Sequence, residues 1–177
     1  MSETASEHKE KAPKHLAFAL IICSTSRYQV SKAGKQVADE SGDLMAKMLQ
    51  DKGYTITLRR VVPDDKLMIE ETVREMLQSP NVDVVITCGG TGITLSDVTI
   101  ETIEPIFEKL LPGFGEIFRS LSYEEIGSAA VMTRAIAGAT KNKAIFCLPG
   151  SPQAVKLCLE RLILPEVGHI IFHVRER

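Results

Sequence analysis

Two aspartates, three glycines and a series of hydroxyl side chains carry the chemistry open to this chain. The segment Thr87-Cys88-Gly89-Gly90-Thr91-Gly92-Ile93-Thr94-Leu95-Ser96-Asp97 follows an apolar, β-branched run at 82–86. Glycines lack a Cβ, reach positive φ and let a ligand approach the main chain. Successive N–H groups in such a turn can form an anion nest, and Thr87, Thr91 and Thr94 add donors. Phosphate or nucleotide binding is the chemistry this combination favours. The competing reading is a tight strand-to-helix turn with Asp97 as an ordinary helix cap. A second acid, Asp64, lies in Pro63-Asp64-Asp65. It can cap the following helix and still face the same rim as Asp97. Two carboxylates beside a phosphate nest can hold Mg²⁺ or orient a reacting group. The loop is neither a P-loop, lacking Gly-Lys-Ser/Thr, nor a dinucleotide fingerprint, because Leu95 stands where the third glycine belongs.

Two further turns join the candidates. Ser24-Thr25-Ser26-Arg27 ends the first apolar run, and its hydroxyls, with Arg27, are either phosphate ligands or plain turn residues. Pro149-Gly150-Ser151-Pro152 opens a helix, where an anion can bind, although the same turn can serve the helix alone. Arg134 is either an anion ligand or a surface charge.

The elements that position these residues follow from hydrophobic period. Residues 16–23, 82–86 and 143–148 are short apolar runs bounded by turns, as in buried parallel strands. Residues 54–62 alternate and belong nearer an edge. Helices are expected from Ser41-Gly42 to Gly53, along the face Ile69, Val73, Met76 and Leu77, over 97–103, along Phe114, Ile117, Phe118 and Leu121, and over 152–162. Residues 28–40 read as a polar loop and the alanine-rich 128–138 as a helix, on propensity. The segment 167–174 carries no firm assignment. The order predicts an α/β fold with a mostly parallel sheet covered on both faces.

A chain of 177 residues suits one core. The division expected is a disordered tail over 1–15 and a single domain over 16–177. A net charge of -2 argues against a nucleic-acid partner held by bulk electrostatics. No apolar run is long enough to span a bilayer, and the polar N-terminus lacks a signal peptide's apolar centre, so a cytoplasmic protein is expected. Cys23, Cys88, Cys147 and Cys158 show no metal-ligand spacing and read as buried, reduced thiols, the first three near strand ends. His169 and His173 have i,i+4 spacing without a Glu in an HExxH arrangement, and read as ordinary surface or partly buried residues.

The glycine segment, followed by Asp97-Val98-Thr99, resembles the signature of the molybdopterin-binding family. The likeness continues through Pro112-Gly113-Phe114-Gly115-Glu116, Thr133-Arg134-Ala135 and Leu148-Pro149-Gly150-Ser151-Pro152, and covers nearly the whole chain from Leu16. It implies a three-layer α/β/α fold assembled as a homotrimer or homohexamer. It implies AMP transfer from Mg-ATP to molybdopterin, with the product passed to a separate molybdate or tungstate insertase. Asp64 and Asp97 match the functional carboxylates, with Mg²⁺ between protein and phosphates. The nucleotide and pterin sites map to Gly89, Gly90, Thr91, Gly92, Pro149, Gly150 and Ser151, beside Ser24, Ser26 and Thr87. Three residues depart from the family pattern: Ser96 replaces a usual Arg, Thr133 a usual Ser and Thr25 a common Asp. The missing Arg motivates the alternative of a non-catalytic molybdopterin-binding carrier. Metal insertion itself would need additional domains for which this chain has no room.

Overall fold

The computed structural model describes residues 12–176. Six strands form one sheet in the order β2-β1-β3-β6-β5-β4. The strands are β1 (Ala17–Cys23), β2 (Thr55–Val62), β3 (Val84–Cys88), β4 (Lys109–Leu110), β5 (Ile136–Thr140) and β6 (Lys143–Leu148). The first four in spatial order run parallel; β5 and β4 are antiparallel additions. The helices are α1 (Thr25–Lys32), α2 (Glu40–Asp51), α3 (Lys66–Gln78), α4 (Thr99–Ile103), α5 (Pro112–Ile126), α6 (Pro152–Cys158) and α7 (Leu164–Arg175). A π-helical stretch, Leu159–Ile163, joins the last two.

Successive side chains of a strand point to opposite faces, and β1 has apolar residues on both. Phe18, Leu20 and Ile22 pack with Val84, Ile86 and Phe146 under Met45 and Leu49 of α2 and Phe118 of α5. Ala19 and Ile21 pack with Val85 and Ile145 under Ile69, Val73 and Met76 of α3. Three layers result, with two cores separated by the sheet. Among the described residues no helix is long and apolar enough to cross a membrane. The expected tail over 1–15 lies outside the described residues as far as 11; Ala12 and Pro13 meet Gly168 of α7.

Three local expectations are corrected. Residues 28–32 of the expected loop, with the turn residues 25–27 before them, form α1, because Ser24 caps it by accepting from the Arg27 N–H. Asp65 rather than Asp64 caps α3, accepting from the Met68 N–H at 2.9 Å. The 128–138 segment is a 3-10 turn, Gly127–Met132, followed by strand β5. Its small residues make room rather than helix: a Cβ on Gly138 would lie 2.5 Å from the Phe107 ring. A hairpin at Lys141 and Asn142, both at positive φ, then pairs β5 with β6. The segment 167–174, left without assignment, belongs to α7, and Pro165 lies in the first turn of that helix.

Candidate active site

The ends of β1, β2, β3 and β6 lie side by side at the carboxyl edge, where open α/β sheets bind ligands. Each contributes one turn. After β3, Gly89 and Gly90 adopt φ of 102° and 62°. A Cβ on Gly89 would stand 2.3 Å from the Cys23 carbonyl oxygen at the end of β1, so only glycine fits. Thr99 fixes the loop from the far side: its hydroxyl donates to the Gly89 carbonyl and its N–H to that of Gly90, each at 2.9 Å. The turn after β6 crosses close above, with Gly150 placed so that a Cβ there would sit 3.3 Å from Gly89 Cα. Ser41 of α2 donates to the Gly150 carbonyl at 2.8 Å and ties that turn down.

The two acids flank this loop. A Cβ on Gly90 would lie 2.9 Å from Asp64 Oδ1, and one on Gly92 would lie 2.7 Å from Asp97 Oδ2. Each carboxylate is held by one threonine using both its N–H and its hydroxyl. Thr25 donates to Asp64 Oδ2 at 2.9 and 2.8 Å, and Thr94 to Asp97 Oδ2 at 2.9 and 2.6 Å. Oδ1 of each acid takes no part in these threonine bonds. Asp97 titrates below the usual carboxylate range, chiefly through the Thr94 hydroxyl, with Thr94 and Gly92 amides and the nearby Arg134 charge adding to it against desolvation.

Arg134 is built into the loop. Its Nε donates to the Thr91 carbonyl at 2.9 Å and its Nη1 to Glu101 at 2.7 Å. Nη2 is buried without a hydrogen-bond partner among the described residues. A cation therefore stands behind Asp97 although residue 96 is serine.

The remaining candidates divide. Ser24 and Ser151 cap α1 and α6 at the rim, accepting from the Arg27 and Ala154 amides. Ser26 is exposed beside Ser24, their hydroxyls 3.3 Å apart. Gly92 belongs to the loop itself, and Pro149 accepts from the Cys88 thiol at 3.5 Å. Thr91 is buried, its carbonyl engaged by Arg134. Thr87 is fully buried within β3, its hydroxyl facing the Cys147 thiol rather than the rim. Arg27 is turned away to the Ala38 carbonyl at 3.1 Å and the buried Asp39 at 3.9 Å. Cys23, Cys88 and Cys147 lie close together below the loop, and burial pushes each thiol up to about 12. They are not nucleophiles at neutral pH.

Sequence reasoning passed over Thr25 as the partner of Asp64 and Thr99 as the lock on the glycines. A Thr directly after the Asp97-Val98 pair was the available signal for Thr99. For Thr25 there was none, because its partner is distant in sequence.

The carboxyl edge of an open α/β sheet thus carries a positive-φ glycine loop, two helix N-termini and two clamped carboxylates. The profile of the family described as "Probable molybdopterin binding domain" matches residues 19–169. The chain belongs to this family. It is 42% identical over 175 residues to molybdenum cofactor biosynthesis protein B of Bacillus anthracis, covering 98% of this chain and 99% of that one. It is 45% identical over 175 residues to a molybdopterin adenylyltransferase of Pyrococcus furiosus, covering 96% and 98%. The crystal structure of the tungsten cofactor synthesizing protein MoaB from Pyrococcus furiosus superposes with a TM-score of 0.81 at 43% identity, covering 93% and 100%.

Proposed function

We propose that this chain is a molybdopterin adenylyltransferase in molybdenum cofactor biosynthesis, transferring AMP from ATP to molybdopterin. The observation that supports it most directly is the pair Asp64 and Asp97, clamped by threonines on either side of the Gly89–Gly90 turn. A relative 45% identical over nearly its whole length carries this activity in its name.

The terminal phosphate of molybdopterin attacks the α-phosphorus of ATP, a P–O bond forms, and the bond to pyrophosphate breaks. A phosphate oxygen is already a nucleophile, so no side-chain nucleophile is required. What the protein supplies is alignment and charge screening between two anions, and good alignment lowers such barriers by roughly 7–11 kcal/mol. The amides of the glycine loop and the N-termini of α1 and α6 bind the phosphates. Arg134 holds the loop and balances charge near Asp97.

Mg²⁺ fits this donor set. It binds through one or two carboxylates together with substrate phosphates and water rather than in a complete protein cage, and Oδ1 of both acids lies outside the threonine bonds. When bound it would screen the phosphate charge. Asp64 and Asp97 would hold it, while Ser24, Ser26 and Ser151 offer hydroxyls to the nucleotide and pterin phosphates.

Exposed Leu110 and Ile117, beside a groove lined by Leu111, Phe114 and Ile170, support assembly as a trimer or hexamer. The adenylylated product passes in the cytoplasm to a separate molybdate or tungstate insertase.

The test is pyrophosphate release from Mg-ATP by the purified chain, with and without molybdopterin. Release that needs molybdopterin is expected. Asp97→Asn should keep the fold and lower turnover by roughly 10²–10³-fold, the usual cost of one preorganised charge-stabilising group. Molybdopterin binding without pyrophosphate release would make the chain a carrier.

A further inference from the structure

Helix α4 holds the glycine loop at two points. Buried Thr99 secures the Gly89 and Gly90 carbonyls. In the same first turn, Glu101 reaches the other end of the loop through Arg134. The guanidinium makes two bonds, from Nη1 to Glu101 Oε1 at 2.7 Å and from Nε to the Thr91 carbonyl at 2.9 Å. Nη2 is buried with no hydrogen-bond partner among the described residues, so those two bonds fix the plane of the group.

The Thr91 carbonyl shares a peptide unit with the Gly92 N–H. In a planar trans peptide the two point in opposite directions. Holding the carbonyl on Arg134 therefore aims the Gly92 N–H the other way, and that amide is one of the donors to the Asp97 carboxylate. The peptide and the acid approach closely: a Cβ on Gly92 would stand 2.7 Å from Asp97 Oδ2. Contact thus runs from Glu101 through Arg134 and one peptide plane to Asp97.

Folding stability does not account for the pair. The Glu101 and Arg134 side chains are 45% and 33% exposed, and ion pairs this open contribute little. Without Glu101 the guanidinium would keep only its Thr91 bond. It could then turn about that bond toward Glu104, whose charge also acts on it.

We propose that Glu101 is a positioning residue for Asp97, acting through Arg134 and the Thr91–Gly92 peptide. The proposal rests on the adenylyltransferase reading for its effect on turnover, and on the free chain alone for its effect on Asp97.

The experiment compares Glu101→Ala and Glu101→Gln with the wild type in two readouts. The first is carbon-13 titration of the Asp97 carboxyl in the ligand-free chain. Glu101→Ala should raise the midpoint, because the Gly92 bond and the Arg134 charge are both loosened. A role through charge alone has the opposite sign, since removing a nearby anion lowers a carboxyl titration. Glu101→Gln, whose amide oxygen still accepts from Nη1, should not raise it. The second readout is pyrophosphate release. Turnover of Glu101→Ala should fall by roughly 10–100-fold, the range found when an outer partner of a metal ligand is removed. Glu101→Gln should recover most of it, with the urea midpoints of both variants close to that of the wild type. In an Arg134→Ala background Glu101→Ala should cost nothing further, as two residues acting in series require. Circular dichroism establishes that the variants fold. An unchanged or lowered Asp97 midpoint in Glu101→Ala overturns the proposal, as does undiminished turnover by that variant. A raised midpoint in Glu101→Ala with no pyrophosphate release by the wild type would remove the enzymatic assignment and leave the positioning role standing.

Discussion

Thr25 and Asp64 hold one another through three hydrogen bonds. The Thr25 N–H and hydroxyl both donate to Asp64 Oδ2, and the Asp64 N–H donates back to Thr25 Oγ1 at 3.0 Å. The bond set joins the end of β1 to the end of β2 across the rim. Thr25→Val leaves the Asp64 N–H without its acceptor and the carboxylate with the residue-25 N–H as its one remaining partner in this set. At about 0.5–1.5 kcal/mol per net hydrogen bond, stability should fall modestly while pyrophosphate release falls much more. Thr25→Ser should restore both. Urea denaturation beside steady-state rates separates the two effects, and a loss of rate no larger than the loss of stability predicts would remove Thr25 from the site.

The Thr94 clamp on Asp97 has a consequence in acid. Its hydroxyl is the largest cause of the lowered carboxyl titration. A carboxyl depressed in the folded state contributes stability above its unfolded value, near 3.9, and loses it as pH falls through the lower folded value. Thr94→Val should therefore move the acid limb of the rate profile upward. The stabilities of variant and wild type should converge below the folded titration. Carbon-13 titration of the Asp97 carboxyl checks the direction; an unchanged titration in the variant would contradict the assigned cause.

Gly89 should tolerate no side chain. Its φ of 102° and a Cβ position 2.3 Å from the Cys23 carbonyl combine strain with a clash against backbone. Gly89→Ala should destabilise by more than the roughly 1–3 kcal/mol of backbone strain alone, measured by chemical denaturation. Gly113, where a Cβ would meet nothing within 4 Å, should accept alanine at little cost.

The buried thiols should be silent in the native protein. With Cys23, Cys88 and Cys147 pushed up to about 12 by burial, alkylation at neutral pH should be negligible until denaturant is added. All 4 cysteines should then react. Rapid native labelling of Cys88, directly before the glycine loop, would show that the rim opens.

Much of the site was legible because its physics is local. A β-branched run, glycines that must turn and a following acid identify a strand end and a glycine turn without distant information. The three-layer fold followed from the alternation of apolar runs and amphipathic helices. Residues 128–138 were not legible in the same way. Their alanines suit a helix by propensity, yet 127–132 form only a 3-10 turn and 136–138 pair with β6 in β5, where Phe107 leaves no room for a side chain on Gly138. Asp64 shows the same division. Sequence identified the acid, but a cap and a ligand look alike until Asp65 takes the helix and Asp64 turns to Thr25. Thr87 and Arg134 exchanged importance for that reason. The alternation of β3 buries Thr87 beside Cys147, while Arg134 reaches the Thr91 carbonyl from another part of the chain. The sequence by itself determined the strand ends, the glycine loop and its acids, since those depend on neighbours along the chain. Only the tertiary structure decided which hydroxyls clamp the acids and which cation stands behind Asp97, because hydrogen-bond partners distant in sequence are chosen by packing.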